Sequence, residues 1–238
     1  MSNPQFHFKQ FTVFHDKCAM KVGTDGVLLG AWASAENAAD ILDVGTGTGL
    51  IALMAAQRNP HARIIAIDTD RPAVEQAKEN VGKSPYTGRI TIEHFDFRQF
   101  AGNTPKRFDL IIFNPPYFSE SLLPPDQQRA KARHSVSLTL EDLLRFTREC
   151  LKDSGTLSLI LPCSKSDELK HLCEKHTFYI KRKTIVYPLP DAAPKRLMAE
   201  LSMHSPHHTE TSSLTIENSR HQYTADFVSL VSNFYINL

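Results

Sequence analysis

Between residues 39 and 68 the chain passes from a short apolar run into a helical segment and back into a second apolar run. That alternation restricts the fold more than any other feature. Ala39–Gly45 reads as a buried strand ending in a glycine-rich turn, Leu50–Asn59 as an apolar helix stopped near Pro60, and Arg63–Asp68 as a second buried strand. Pro72–Val81 is helical, with proline at its start and Ala73, Val74, Ala77 and Val81 at helical spacing. Strand-like runs follow at Arg89–Phe95, Phe108–Phe113 and Gly155–Leu161, and helices at Thr139–Leu151 and Asp167–Lys175; Thr139 reads as an N-cap with Asp142 at N3. Lys183–Leu189 and Arg196–His204 are two further strand-like runs joined by a proline-rich turn. The polar stretch His204–Ser213 reads as a loop and Thr224–Phe234 as a closing helix. Strand and helix in repeated order predict an α/β domain with a mostly parallel sheet. No internal repeat is visible.

A chain of 238 residues can bury a sizeable core as one large domain. Its 41% hydrophobic and 22% charged residues exclude general disorder. Lys and Arg number 27 against 26 Asp and Glu, so a bound polyanion must be held by a local patch and not by a global field. No apolar run approaches the roughly 18 residues of a membrane span, and Met1–Lys9 lacks the apolar core of a secretory signal. Cys18, Cys150, Cys163 and Cys173 form no C-x-x-C pair and read as reduced thiols, so a cytoplasmic location is expected.

Asp43-Val44-Gly45-Thr46-Gly47-Thr48-Gly49 stands where the first strand of the alternation turns into a helix. Glycines there let the backbone approach a ligand, and the helix start offers free N–H groups. A dinucleotide fingerprint needs glycine at its sixth position, which here is Leu50. The alternate-glycine form resembles the S-adenosylmethionine loop of class I methyltransferases. Asp68, 25 residues beyond Asp43 at the end of the next strand, suits the hydroxyls of a ribose. Asp96-Phe97 follows the third strand, where methyltransferases of this class hold an acid for the adenine amino group and an apolar wall for the ring.

Asn114-Pro115-Pro116-Tyr117 directly follows the fourth strand. It resembles the tetrad of methyltransferases acting on planar exocyclic or amide nitrogens. The Asn114 side-chain oxygen and the Pro115 carbonyl can accept the two N–H bonds of such a nitrogen and turn its lone pair toward the methyl group. The prolines fix the backbone, and Tyr117 offers a face for stacking. Positioning then supplies much of the catalysis. The tetrad names an atom type, serving adenine, cytosine, guanine and protein glutamine alike.

The strings Phe8-Lys9-Gln10-Phe11 and His15–Ala33 (H-D-K-C-A-M-K-V-G-T-D-G-V-L-L-G-A-W-A), with Ser84-Pro85 and the tetrad, make the chain similar over nearly its whole length to the bacterial tRNA(Val) adenine-37 N6-methyltransferases. The resemblance implies a Rossmann-like class I fold. Its sheet is mostly parallel, seven-stranded and flanked by helices, with residues 1–38 a small N-terminal extension and 39–238 the methyltransferase domain. It implies S-adenosylmethionine as cofactor, with Lys21–Gly26 capping its pocket. The residues carried over to the cofactor are Lys21, Thr24, Asp25, Gly26, Asp43, Gly45, Thr46, Gly47, Gly49, Asp68, Thr69, Asp96, Phe97 and Asn114. It also implies contact with the anticodon loop of tRNA(Val). A monomer is expected, with no metal and no membrane. Arg129, Lys131, Arg133 and His134, close after the tetrad, and Lys195 and Arg196 are the RNA-binding candidates, with a solvated basic face the other reading of such runs. Lys181-Arg182-Lys183 is open to both readings equally.

His171, Cys173 and His176 do not share one helix face, so a metal is not expected there or at His204, His207 and His208. Trp32 is expected to fill the core. A DNA adenine or protein glutamine methyltransferase shares the tetrad. The glutamine enzyme would carry a substrate domain ahead of the fold, for which about 40 residues are too few. A non-catalytic binding module is the third alternative, and the intact tetrad argues against it.

Overall fold

The structure is a computed structural model that describes residues 3–18, 21–115 and 138–237. A hairpin of β1 (Gln5–His7) and β2 (Thr12–Phe14) leads to α1 (Thr24–Trp32). Then β3 (Asp40–Val44), α2 (Leu50–Arg58), β4 (Arg63–Asp68), α3 (Arg71–Gly82), β5 (Ile90–His94), α4 (Phe97–Asn103) and β6 (Phe108–Phe113) follow in strict alternation. After the undescribed 116–137 come α5 (Leu140–Cys150), β7 (Leu151–Pro162), α6 (Ser166–His176), β8 (Tyr179–Tyr187), β9 (Arg196–Ser202), β10 (Glu210–Thr215), the short pair β11 (Glu217–Ser219) and β12 (Gln222–Tyr223), and α7 (Ala225–Val231).

The main sheet runs β10-β8-β9-β7-β6-β3-β4-β5, with β9 antiparallel to both neighbours and every other pairing parallel. Residues alternate between its two faces, as a pleated strand dictates. In β6, Leu110 and Ile112 join α1, α2, α3 and α7 in one core, while Ile111 and Phe113 join α4, α5 and α6 in the other. Chain order moves outward from β3 to β5, then returns to β6 on the far side of β3. That reversal opens a crevice at the carboxyl ends of β3 and β6, where α/β sheets bind ligands.

The sheet has eight strands among the described residues, not the expected seven. The eighth, β10, falls in and just beyond the stretch read as a loop. It is an edge strand whose first four residues are exposed, so it carries none of the apolar signal a buried strand needs. Helix α4 also went unread behind Asp96-Phe97, being a seven-residue turn with one apolar side. Strand β8 starts at Tyr179, four residues early, and stops before Pro188. Thr139 caps α5 as read, its hydroxyl accepting from the Asp142 N–H at 3.0 Å, and Thr224 caps α7 in the same way.

The described residues ahead of β3 share the core of the elements that follow. Val27, Leu28 and Leu29 of α1 are fully buried. The strand pair is tied down by two buried α3 side chains. Asn80 Oδ1 accepts from the Phe14 N–H (2.9 Å), its Nδ2 donates to the Phe14 carbonyl (2.9 Å), and Gln76 Oε1 accepts from the Lys17 N–H (3.0 Å). Trp32 packs inside, donating to Thr184 Oγ1 at 2.9 Å with the Arg182 guanidinium 3.9 Å above its ring. Arg182 also pairs with the buried Glu200 at 3.0 Å. The basic run 181–183 therefore includes one residue with an internal structural role.

Candidate active site

Gly45, Asp68, Asp96 and Asn114 end or follow strands β3, β4, β5 and β6 and so stand at the carboxyl edge of the sheet. Gly45, Gly47 and Gly49 all take positive φ, at 67°, 55° and 81°. An L side chain in that region costs roughly 1–2 kcal/mol, which is why glycines alternate here. The turn is closed by its own backbone, with Thr46 N–H donating to the Ile67 carbonyl (3.0 Å) and Gly49 N–H to the Thr46 carbonyl (2.9 Å). A side chain on Gly49 would press on Ala77 of α3 at 3.3 Å, whereas one on Gly47 would meet no described atom within 4 Å. Gly47 thus borders open space at the start of α2.

Asp43 is buried. Its Oδ2 accepts from Thr46 Oγ1 at 2.6 Å, and its Oδ1 has no hydrogen-bond partner among the described residues. Burial, reinforced by the Asp68 charge, pushes its carboxyl up to about 7 despite the Thr46 bond. An acceptor left unmet in such a place fits a cationic or N–H-bearing ligand. Asp68 accepts from the Gly47 N–H (2.8 Å) and the Asp70 N–H (2.9 Å), and burial raises its carboxyl above the ordinary value. These bonds hold it at the rim of the glycine loop. Thr69 is exposed, and its carbonyl contacts His94 Nε2 at 2.9 Å.

The N-terminal arm reaches the same rim. Burial, then the charges of Asp68 and Asp70, push the Cys18 thiol up to about 12, so it stands there as a neutral group. No periodicity flagged Asn80, which also donates to the Thr48 carbonyl at 2.8 Å and so joins arm, α3 and glycine loop. Two buried amides, Gln76 and Asn80, on an otherwise apolar helix face were the available signal.

Asp96 and Phe97 are engaged elsewhere. The Asp96 carboxylate caps α4 through the Arg98 N–H (2.8 Å) and accepts from Arg98 Nε (2.9 Å); that guanidinium holds it below the usual carboxylate range. Phe97 is buried edge-on against Phe146, with centroids 6.4 Å apart.

Asn114 follows β6. Val44 and Phe113 are register partners, so Gly45 and Asn114 leave the sheet side by side. Gly26 of α1 closes the group. A Cβ there would sit 3.1 Å from Leu50 Cδ2 and 3.7 Å from Asn114 Nδ2. Asp25, one residue earlier, receives Arg196 Nε at 2.7 Å. Lys21 and Thr24 are exposed, as is Lys195. Pro116, Tyr117, Arg129, Lys131, Arg133 and His134 lie outside the described residues. Among the described residues no three His, Cys, Asp or Glu side chains are grouped to hold a metal, and no helix is long and apolar enough to cross a membrane.

A family model described as the methyltransferase small domain matches residues 12–177. The tRNA1(Val) (adenine(37)-N6)-methyltransferase of Parabacteroides distasonis is 48% identical over 238 residues, covering all of both chains. The protein of the same name from Yersinia enterocolitica is 40% identical, covering 98% of this chain and 92% of its own. Among solved structures, a predicted O-methyltransferase from Agrobacterium tumefaciens superposes with a TM-score of 0.70 at 21% identity, covering 88% of this chain and 96% of its own, a likeness of fold. With matches of that length and identity, the chain belongs to the family of tRNA1(Val) (adenine(37)-N6)-methyltransferases, built on a methyltransferase small domain.

Proposed function

We propose that this enzyme transfers a methyl group from S-adenosylmethionine to N6 of adenine 37 in tRNA1(Val), the reaction for which its relatives are named. The observation that carries the reading is the meeting of Leu50, Gly26 and Asn114 at one point on the sheet's carboxyl edge. The residue suited to a planar nitrogen thereby adjoins the glycine loop suited to the cofactor.

The residues present fit S-adenosylmethionine. Gly47 borders open space, Asp43 Oδ1 lacks a partner among the described residues, and Asp68 is held at the loop's rim with lone pairs to spare for ribose hydroxyls. When bound, that cofactor supplies an electrophilic methyl carbon on a sulfonium. Asp43 and the glycine loop hold its amino-acid end, and Asp68 its ribose. Asp96 and Phe97, committed to Arg98 and Phe146, fit better as supports of the adenine end than as open contacts.

On the substrate side, Asn114 Oδ1 and the Pro115 carbonyl accept the two N6–H bonds and turn the lone pair out of the base plane. With the cofactor bound, the nitrogen so turned would take its methyl group, a C–N bond forming for the C–S bond lost, and N6 would then give up one proton to solvent. No strong base is needed, because the methylated nitrogen is acidic while it is positive. A base in a single-stranded loop is extruded at less cost than a paired one. Tyr117 and the basic residues at 129–134 remain proposals from sequence for stacking and phosphate contact.

The test is incubation with methyl-labelled cofactor and unmodified tRNA1(Val), then mass mapping of nuclease fragments. Label on N6 of adenine 37 is expected. Label on another nucleotide, or on DNA or protein alone, overturns the reading.

A further inference from the structure

Arg196 stands among the sequence candidates for RNA, yet in the fold its guanidinium is turned onto Asp25, with Nε donating to Oδ2 at 2.7 Å. The two residues are 171 positions apart. Asp25 lies in the first turn of α1, whose N-cap, Gly23, offers no side-chain cap, so an acid there also meets the helix dipole. Arg196 opens β9, opposite Pro162 at the end of β7, and is thus fixed by the sheet. Its Nη1 donates to the Lys195 carbonyl at 3.1 Å, which orients the guanidinium plane. The next α1 residue, Gly26, is the one packed against both Leu50 and Asn114.

We propose that Arg196 is a positioning residue: its pair with Asp25 holds the first turn of α1 so that Gly26 sets where the Asn114 amide lies. This rests on the reading of Asn114 as the group that meets the substrate nitrogen. The chain of contact is short and runs from sheet to Arg196, Asp25, Gly26 and Asn114. A glycine at 26 suits the approach, since a Cβ there would press on Leu50 at 3.1 Å and come into van der Waals contact with the amide at 3.7 Å.

Arg196→Ala and Asp25→Asn should each lower kcat on tRNA about fivefold, the scale of a half-exposed ion pair, with the KM for tRNA unchanged. In isotope-labelled protein without tRNA, both should shift the Asn114 side-chain amide resonance, identified by its loss in Asn114→Ser. Arg196→Lys, which keeps the charge alone, should fall between. Thermal midpoints check that each variant folds. A phosphate-contacting Arg196 gives the opposite split. Arg196→Ala then raises the KM and flattens its salt dependence, while Asp25→Asn frees the guanidinium and lowers the KM. That split, or an unmoved resonance in both single variants, overturns the proposal. Because the resonance is read without tRNA, a wild-type protein that fails to methylate tRNA refutes the substrate assignment and leaves this test intact.

Discussion

The two sides of the crevice are built differently. On the cofactor side, one contiguous stretch makes the turn; it is tied within itself from Gly49 to Thr46 and otherwise to the next elements of the chain, Thr46 to Ile67, Gly47 to Asp68, and Thr48 to the buried Asn80. On the base side, Asn114 leaves β6 beside Gly26 of α1, and α1 is held by Arg196 from the other end of the chain. The segments that shape the first side, from β3 to α3, follow one another along the chain. Those that shape the second, α1, β6 and β9, lie far apart in it.

Asn114→Ala is the sharpest break. It should cut kcat by about a thousandfold, the upper range for removing one positioned hydrogen-bonding group, while calorimetry finds a far smaller loss of cofactor affinity. A variant that kept near wild-type turnover would remove the base side's central residue.

Gly47→Val should do the reverse. Forcing a β-branched residue to φ 55° and filling the open space beside the loop should weaken cofactor binding about a hundredfold, from strain plus lost contact. Titration calorimetry reads it directly. Unchanged affinity would mean that the cofactor lies elsewhere.

Asp43 gives a pH signature confined to the cofactor side. Its carboxyl, ordinarily near 3.8, is pushed up to about 7 in the fold. The folded protein without cofactor therefore holds a proton that the unfolded chain releases. This stabilisation is complete below 3.8 and is lost as pH rises through about 7. A cationic ligand beside Asp43 favours the carboxylate, so cofactor affinity should rise about tenfold from pH 6 to 8 with release of a proton. Calorimetry in buffers of different ionisation enthalpy measures that proton, and Asp43→Asn should abolish both effects.

Asn80→Leu should have the smallest effect on affinity, about fivefold, because it leaves the glycines in place. It strands the Phe14 N–H and the Phe14 and Thr48 carbonyls, each costing about 1–3 kcal/mol when buried, so its thermal midpoint should drop. Val81→Ala on the same helix, which removes no side-chain hydrogen bond, is the control. If both variants lose equal affinity for equal destabilisation, Asn80 supports the fold and not the loop.

The sequence by itself determined the central strand–helix alternation, because β3, β4 and β6 are largely buried on both faces and must read as mostly apolar runs. It also determined the glycine loop, because a backbone at positive φ writes itself into residue type. It could not show β10, whose exposed residues obey no hydrophobic period, nor Asn80, whose bonds run to segments 66 and 32 residues away. Tertiary structure alone decided that Arg196 faces Asp25, that Arg182 turns inward onto Trp32 and Glu200, and that Asp96 is spent on Arg98. The physical reason is common to all three. A charged side chain names its chemistry but not its partner, and the partner is fixed only when packing brings an opposite charge or a ring within reach.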